Sequence, residues 1–310
     1  RGQTVAGAIA ALRTSGLVAT AEPNWIMKLP TEPMPAAAGR AGTLQTKGLA
    51  SFMDGARNWG QAKIGADKLA FRGAATTVVA VLDTGVDLEH PDLRGALVPG
   101  YSTFNEPGPQ DYEGHGTHVA GIIAGQGQGD PGVRGVAPGC RVMPIKVMGP
   151  RGRDGKVENV VAGIVWAVDH GAAVINMSLG DEGTSAILRE AVRYAQAHDV
   201  LLVAASGNFD ESKHARTNTM NYPAAYPGVM AVGATDETDQ LADFSFWGTW
   251  LSVTAPGVDI HSSVPGDGSA DALSQGSYMS EQGTSMASPF VAGLAGLVRA
   301  KFPQLKAAEV

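Results

Sequence analysis

Several features that would indicate particular protein classes are missing from this sequence. It contains a single cysteine, Cys140, so no disulfide can form within the chain. It has no uninterrupted apolar run of about 18 residues, so the sequence predicts no membrane span. Basic residues do not dominate, because 23 Lys and Arg stand against 30 Asp and Glu and give a net charge of −7. We therefore expect no nucleic-acid partner.

The remaining composition is typical of a globular protein. Of 310 residues, 44% are hydrophobic and 17% are charged, which is enough for one large domain or two smaller ones. Cys140 opens an apolar stretch and is expected to be a small core residue. The chain begins at Arg1 and stops just after Pro303, where a helical pattern starts. We interpret it as a piece of a longer precursor.

Three segments of the chain differ in composition. Residues 1–29 combine a helical pattern, VAGAIAALRTSG, with a strand-like stretch, LVATAEPNWIM. Residues 30–56 are rich in Pro, Gly and Ala, which is typical of a linker or processing region. In residues 57–310, short apolar runs alternate with helical patterns. This alternation indicates one domain, which we expect to be truncated at its C-terminal end.

The third segment predicts an α/β fold. Five runs are typical of buried strands: TTVVAVL (76–82), RVMPIKV (141–147), AAVINMS (172–178), VLLVAAS (200–206) and GVMAVGA (228–234). Three intervening stretches have apolar residues at helical spacing: GTHVAGIIAG, KVENVVAGIVWAVDHG and TSAILREAVRYAQAHD. Such alternation predicts three layers, a parallel sheet with helices on both faces.

Polar residues are expected to meet at the carboxyl edge of this sheet, where ligands bind in such folds. Asp83 follows the first run, residues 178–180 follow the third, and Asn208 follows the fourth. Two helices open towards the same edge, one at His115 and one at Ser285. Each residue also has a structural interpretation as a helix cap, a turn residue or a surface residue. Their convergence favours a catalytic site.

These residue types suit nucleophilic catalysis. A serine hydroxyl is a weak nucleophile until an imidazole takes its proton, and a carboxylate fixes the tautomer of that imidazole. The developing oxyanion needs donors aimed at it. The N–H of Ser285, at a helix start, and the side-chain amide of Asn208 can be those donors. Gly283 would let the substrate backbone come close.

At these residues the sequence resembles the subtilisin-like serine proteases, or subtilases. The matching motifs are VAVLDTGVD around Asp83, GHGTHVAGIIAG around His115, NMSLG around Ser178, AASGN around Asn208 and GTSMASP around Ser285. They follow the order of the family, and the resemblance covers about residues 57–310. It implies a secreted, monomeric serine endopeptidase that acts on polypeptides and needs no cofactor for catalysis.

The resemblance also implies a role for each site residue. Asp83, His115 and Ser285 would form the triad, and Asn208 would complete the oxyanion hole. The implied substrate-binding residues are Ser178, Leu179, Gly180, Gly152, Ala205, Gly207 and Asn221. Backbone at residues 178–180 and near Gly152 would pair with the substrate, as in strand addition. The others would enclose the primary pocket, for which we expect apolar or broadly tolerated side chains.

Residues 1–29 resemble the C-terminal part of the family's inhibitory propeptide, which also assists folding. LVATAEPNW matches its closing strand, so we expect cleavage within residues 30–57. A small extension packed on the domain is the structural alternative. Many subtilases also bind calcium, and the resemblance implies a structural ion near Asp92 and Asp130. Asp92 could instead be an ordinary turn residue.

Two residues near Ser285 stand out from the pattern. We expect Pro289 to lie in the first helical turn, where its missing N–H costs little. Phe290 stands where the family usually has His. This departure concerns local packing and leaves the triad intact.

Other functional classes fit the residues less well. An α/β-hydrolase needs G-x-S-x-G and the order Ser, Asp, His, whereas Ser285 comes last here. A sedolisin-like protease has Glu where this chain has His115. A zinc protease needs H-E-x-x-H, and we expect His118 in HGTH to be structural. The alternative outside the enzymes is a catalytically silent binding or adhesion module.

Overall fold

A seven-stranded parallel sheet forms the centre of the chain. The computed structural model describes residues 4–15, 18, 20–29, 59–128, 132–149, 155–209, 219–266 and 277–310. The central sheet contains β2 (Val78–Asp83), β3 (Tyr101–Ser102), β4 (Arg141–Lys146), β6 (Val174–Met177), β7 (Leu201–Ala205), β8 (Val229–Thr235) and β9 (Val253–Pro256). Two further pairs of strands lie outside it: β1 (Ile26–Met27) with β5 (Gly155–Lys156), and β10 (Ile260–Val264) with β11 (Ser277–Glu281). The helices are α1 (Val5–Thr14), α2 (Trp59–Lys63), α3 (His115–Ala124), α4 (Val157–Asp169), α5 (Ala186–Ala197) and α6 (Thr284–Lys301).

The sheet confirms the predicted fold class. Its strand order is β3-β4-β2-β6-β7-β8-β9, and the five predicted strands agree with the structure to within two residues at either end. The edge strands β3 and β9 were not predicted, because they are short and lack a long apolar run. The continuous apolar runs arise because the inner strands are buried on both faces.

Two hydrophobic cores lie on opposite faces of the sheet. In β2, Val79 and Val81 point into the core that contains α3 and α6, whereas Ala80 and Leu82 point into the core that contains α4 and α5. Successive residues of a strand face opposite sides, so one strand contributes to both cores. This arrangement gives the three layers that the sequence predicts.

Helix α6 begins one residue earlier than expected, and this changes the place of Pro289. The helix starts at Thr284, so Pro289 is its sixth residue. It therefore lies beyond the first turn, and the expectation that it lies within that turn is wrong. A proline there cannot donate an N–H to the carbonyl of Ser285, four residues earlier. Instead the hydroxyl of Ser178 donates to that carbonyl at 2.8 Å. The missing helical bond is thus replaced by a contact between the helix and the sheet.

The N-terminal segment departs from its predicted strand. Helix α1 forms as the pattern indicates, but among the described residues of the predicted strand, 17–27, only Ile26–Met27 pair as a strand. Pro23 has no N–H for a ladder, and within the described residues the partner strand β5 covers only Gly155–Lys156. The predicted linker, residues 30–56, lies outside the described residues.

A separate antiparallel ribbon, β10–β11, packs along α3 and leads into α6. Its register pairs Ile260 with Glu281, the last residue before Gln282 and Gly283. The sequence did not predict this ribbon, because β10 contains two buried serines and β11 carries no apolar run. Among the described residues, we find no helix that is both long and apolar enough to cross a membrane.

Phe290 fills a space next to a glycine of α2. The Phe290 side chain is fully buried in the core, and Gly60 packs directly against its ring, so that a Cβ there would overlap it. Cys140 is buried in the same core, as expected. The ring of Phe290 is therefore packed against a glycine whose missing side chain leaves room for it.

We expect Phe290→Ala to lower the free energy of unfolding by about 3–5 kcal/mol, because it leaves a cavity beside Gly60. Phe302→Ala is the matched control, since Phe302 is 41% exposed, and it should cost less than about 1 kcal/mol. Denaturant-induced equilibrium unfolding measures both values. Equal losses in the two variants would contradict the packing role of Phe290.

Candidate active site

Asp83 and His115 form a buried pair at the carboxyl edge of the sheet. Asp83 ends β2 and His115 begins α3, so strand and helix bring the two side chains together. The Nδ1 atom of His115 lies 2.7 Å from Oδ1 of Asp83. The same oxygen accepts the N–H of Thr84, also at 2.7 Å. Because Nδ1 faces the carboxylate of Asp83, the neutral ring carries its proton on Nδ1 and its lone pair on Nε2.

The start of α3 is held by local contacts that fix the direction of His115. Asp111 accepts the N–H groups of Glu113 and Gly114, and it also accepts the N–H and hydroxyl of Thr117. A Cβ on Gly116 would overlap Asp83 and the carbonyl of Gly85. Only glycine permits this close approach of helix and strand.

The environment of His115 favours its protonated form. Burial of the ring opposes protonation, but the charge and hydrogen bond of Asp83 outweigh it, with further contributions from Glu281 and Asp111. The pKa of His115 is therefore raised above its ordinary value. Its Nε2 atom is buried and has no hydrogen-bond partner within the described part of the chain. A raised pKa with an open Nε2 is what a general base needs.

Ser285 is the second residue of α6, and Gly283 is the N-cap. The N–H of Ser285 is one of the first four N–H groups of the helix, and these groups have no carbonyl of the helix to donate to. Its hydroxyl donates to the carbonyl of Ser178 at 3.2 Å. The serine thus begins a helix without acting as its cap, which leaves both Oγ and N–H near the edge of the sheet.

Asn208 is oriented by the residue before the serine. Its Oδ1 accepts both the N–H of Thr284, at 3.1 Å, and the hydroxyl of Thr284, at 2.9 Å. These contacts fix the amide so that its NH₂ group points away from Thr284. Thr284 was not predicted as a site residue, although its place beside Ser285 in GTSM was a signal for it.

A chain of buried polar groups lies under the serine. The hydroxyl of Ser288 donates to Asn176 at 2.6 Å, the amide of Asn176 donates to the hydroxyl of Ser178 at 3.0 Å, and that hydroxyl donates to the carbonyl of Ser285. All four residues are fully buried. No sequence pattern indicated Asn176 or Ser288, because their contacts depend on how α6 crosses the sheet.

The predicted substrate-binding backbone is paired with the chain's own N-terminal segment. Lys28 and Gly180 exchange two backbone hydrogen bonds, at 2.9 and 2.8 Å. On the other side, Ile26–Met27 pairs antiparallel with Gly155–Lys156. Residues 26–28 therefore lie as an extra strand between these two edges. Gly152, predicted for the second edge, lies outside the described residues.

The residues predicted for the primary pocket lie together. Asn221 fills the space between Gly180 and Gly207, since a Cβ on either glycine would contact its amide. Its Nδ2 donates to the carbonyl of Ala205 at 3.3 Å. Leu179 is fully buried between these groups and the core. The pocket region thus has glycine backbone on two sides and an amide between them.

The N-terminal segment also contacts two helix starts. Glu22 accepts the N–H of Ala186 at 2.7 Å and the hydroxyl of Ser185, at the start of α5. Asn24 accepts the N–H of Glu158 at 3.1 Å, at the start of α4. Both acceptors meet N–H groups that the helices leave unpaired, and the carboxylate of Glu22 is also favourable at a helix start because of its negative charge.

Asp92, predicted as a calcium ligand, is a hydrogen-bond acceptor here. Its fully buried carboxylate accepts the N–H groups of Gln128 and Val133 and the hydroxyl of Tyr278. Donor hydrogens point at both oxygens, and this arrangement does not fit a cation ligand. The described residues contain no cluster of three His, Cys, Asp or Glu that could hold a metal. Asp130 lies outside them, so calcium binding stays a prediction.

His118 is a structural residue, as expected. Its Nε2 atom lies 3.0 Å from the carbonyl of Ile260 and 3.1 Å from that of Met279, so it ties α3 to the ribbon. Burial first, and then the nearby charge of His115, lower the pKa of His118 to about 3. The ring is therefore neutral at physiological pH and acts as a fixed link.

Comparison with known proteins supports the same family. The sequence pattern of the subtilase family matches residues 74–310. The chain is 44% identical over 228 residues to a thermophilic serine proteinase of Bacillus sp. (strain AK1), covering 73% of this chain and 53% of that protein. It is 44% identical over 251 residues to subtilisin BL of Lederbergia lenta, covering 79% and 85%.

A solved structure agrees with these relatives. The crystal structure of fervidolysin from Fervidobacterium pennivorans, described as a keratinolytic enzyme, has a TM-score of 0.75 at 34% identity, and the match covers 99% of this chain and 50% of that one. The chain thus spans about half the length of some relatives that it matches. With the family pattern covering most of the sequence, the chain belongs to the subtilase family.

Proposed function

We propose that this chain is a serine endopeptidase that cleaves polypeptides through Asp83, His115 and Ser285. The observation that carries the proposal is the buried 2.7 Å contact between Asp83 and Nδ1 of His115, which leaves Nε2 as the acceptor for a serine proton. The serine-proteinase names of the relatives support the reaction class. We further propose that it acts outside the cell, as the family resemblance implies.

The reaction follows from the chemistry of these groups. The hydroxyl of Ser285 turns from Ser178 towards His115, and Oγ attacks the substrate carbonyl while its proton passes to Nε2. Asp83 stabilises the resulting imidazolium. The C–N bond then breaks, and His115 returns the proton to the leaving amine, which leaves an acyl group on Ser285. Water attacks this ester with His115 again as base, releasing the acid and restoring the serine.

Two donors stabilise the oxyanion in this proposal. One is the N–H of Ser285, which lies in the first turn of α6 and has no carbonyl of that helix to donate to. The other is the Nδ2 group of Asn208, whose Oδ1 is held by Thr284. Because both are fixed before substrate arrives, they need no reorganisation as charge develops.

We also propose that residues 1–29 are the C-terminal part of an inhibitory propeptide. The support is the strand pairing of residues 26–28 with Gly180 and with β5, the backbone that a substrate would use. Met27 is 2% exposed in this position, so the segment also buries a side chain against the domain. The contacts of Glu22 and Asn24 with two helix starts add to its binding.

Ser285 should react covalently with a fluorophosphonate probe, because such probes label activated serines. We expect one adduct, located on Ser285 by mass spectrometry, and none in Ser285→Ala. Peptide hydrolysis by Ser285→Ala should fall by about 10⁶-fold, the loss measured in subtilisin itself, a member of this family. A folded protein that hydrolyses peptides yet keeps its activity in Ser285→Ala would contradict the assignment.

Thr284→Val should lower kcat by about tenfold with little change in KM, because it removes the hydroxyl that orients Asn208. Thr284→Ser keeps the hydroxyl and should stay close to wild type. Asn208→Ala sets the scale, with an expected loss of about 10²–10³-fold, as found in subtilisin for its oxyanion amide. Steady-state kinetics on a peptide substrate measures all three variants. A Thr284→Val variant that matches Thr284→Ser would speak against this role.

Lys28→Pro should activate the intact chain, because proline removes the N–H that Lys28 donates to Gly180. We expect the initial hydrolysis rate of the unprocessed chain to rise by about tenfold, from the loss of backbone pairing. Lys28→Ala is the control, since the exposed side chain makes only a 3.9 Å contact with Asp181. Equal rates in wild type and Lys28→Pro would count against inhibition by this segment.

A further inference from the structure

Glu281 is a half-buried acidic residue near the proposed site, and the proposed mechanism does not use it. It is the last residue of β11 and lies four residues before Ser285. Backbone pairing with Ile260 holds it in place. Within the described part of the chain, its buried Oε2 atom has no hydrogen-bond partner.

The contacts of His118 show why Glu281 lies near His115. His118 binds the carbonyls of Met279 and Ile260, and Ile260 is the strand partner of Glu281. His115 lies one turn earlier on the same helix face, about 4.5 Å along the axis. Glu281 lies two residues beyond Met279, about 6–7 Å along the strand. The strand register therefore puts Glu281 on the side of α3 that carries His118 and His115, and the charge of Glu281 acts on the His115 ring.

The other titratable groups around His115 have defined contacts. Asp83 is bonded to the ring through Oδ1, while its Oδ2 is buried without a hydrogen-bond partner among the described residues, and Asp111 accepts four hydrogen bonds at the start of α3. His118, on the same helix, is neutral at physiological pH. The titratable groups that face this region are Asp83 of β2, Asp111 of the preceding loop, His118 of α3, His261 of β10, and Tyr278 and Glu281 of β11.

We propose that Glu281 is a positioning residue for the reaction, whose carboxylate stabilises the protonated ring of His115 from the ribbon side. The proposal rests on the function assigned above. Asp83 bonds Nδ1 directly, whereas Glu281 acts through its field, from a buried Oε2 atom on a buried ring. Fields act strongly in such surroundings, because little solvent screens them.

The direction of the expected pH shift in activity follows from the charge states of Glu281 and His115. Burial first, then the charges of Asp83 and Asp111, raise the pKa of Glu281, while His115 lowers it. Above that pKa the carboxylate is charged and contributes to the raised pKa of His115. Since His115 must be neutral to accept the serine proton, removing this charge should extend activity to lower pH.

Glu281→Gln tests the proposal against Glu113→Gln, which removes the same charge from an exposed side chain two residues before His115. The pH profile of kcat/KM is measured at low salt with an uncharged peptide substrate. After each profile is scaled to its plateau, Glu281→Gln should be about two- to threefold more active than wild type on the acid limb. Glu113→Gln should coincide with wild type, and Glu281→Asp, which keeps the charge, should lie close to it.

A direct titration gives a readout that does not need turnover. In a Ser285→Ala background, NMR of the His115 ring should show a lower pKa after Glu281→Gln and no change after Glu113→Gln. Should Glu281→Gln fold poorly, Glu281→Leu removes the charge with a different shape and is measured in the same way. A purely structural role of Glu281 would leave the titration of His115 unmoved.

The outcomes separate this inference from the function on which it rests. An active wild type with coincident profiles and titrations for Glu281→Gln overturns the role of Glu281 and leaves the protease assignment intact. A folded wild type that neither hydrolyses peptides nor reacts with fluorophosphonate overturns the proposed function. In that case the NMR titration still decides whether Glu281 acts on His115.

Discussion

The hydrogen bond between Asp83 and Nδ1 of His115 joins the sheet to the first of the two site helices, and the rest of the site depends on it. It fixes the tautomer of the ring. Both partners are buried, so neither can exchange this hydrogen bond for one with water. Its geometry needs β2 to end and α3 to begin at the same point. Thr84 secures this, because its N–H reaches Asp83 and its hydroxyl accepts the N–H of Gly116. The pair is therefore held by backbone as much as by side chains.

The serine half of the site depends on an irregularity in a helix. Pro289 leaves the carbonyl of Ser285 without its usual helical partner, and the hydroxyl of Ser178 takes that place. Because Ser178 follows β6 directly, this contact fixes the height of α6 above the sheet. The same helix start brings Thr284 to Asn208, so one local arrangement orients the proposed nucleophile and the proposed oxyanion amide together.

Three carboxylates lie around His115 and differ in their contacts. Asp111 accepts hydrogen bonds from Thr117 and Asp83 bonds the ring through Oδ1, while Oδ2 of Asp83 and Oε2 of Glu281 are buried without a hydrogen-bond partner among the described residues. A charge beside buried groups influences its neighbours over several ångströms, since the effective dielectric constant there is lower than in water. The N-terminal segment meets the domain in a different way, through backbone pairing and through acceptors placed at helix starts.

The sequence by itself determined the parallel sheet and the two-sided core, and it singled out Asp83, His115, Asn208 and Ser285 as the candidate site. These features are local: buried strands read as apolar runs, and polar residues after them meet at one edge because parallel strands end there together. Only the tertiary structure decided the short pairing of residues 26–28, the place of Pro289 in its helix and the nearness of Glu281 to His115. Each of these involves groups far apart in the chain or a helix start shifted by one residue. No periodicity records such contacts, because they depend on how helices and ribbon pack across the sheet.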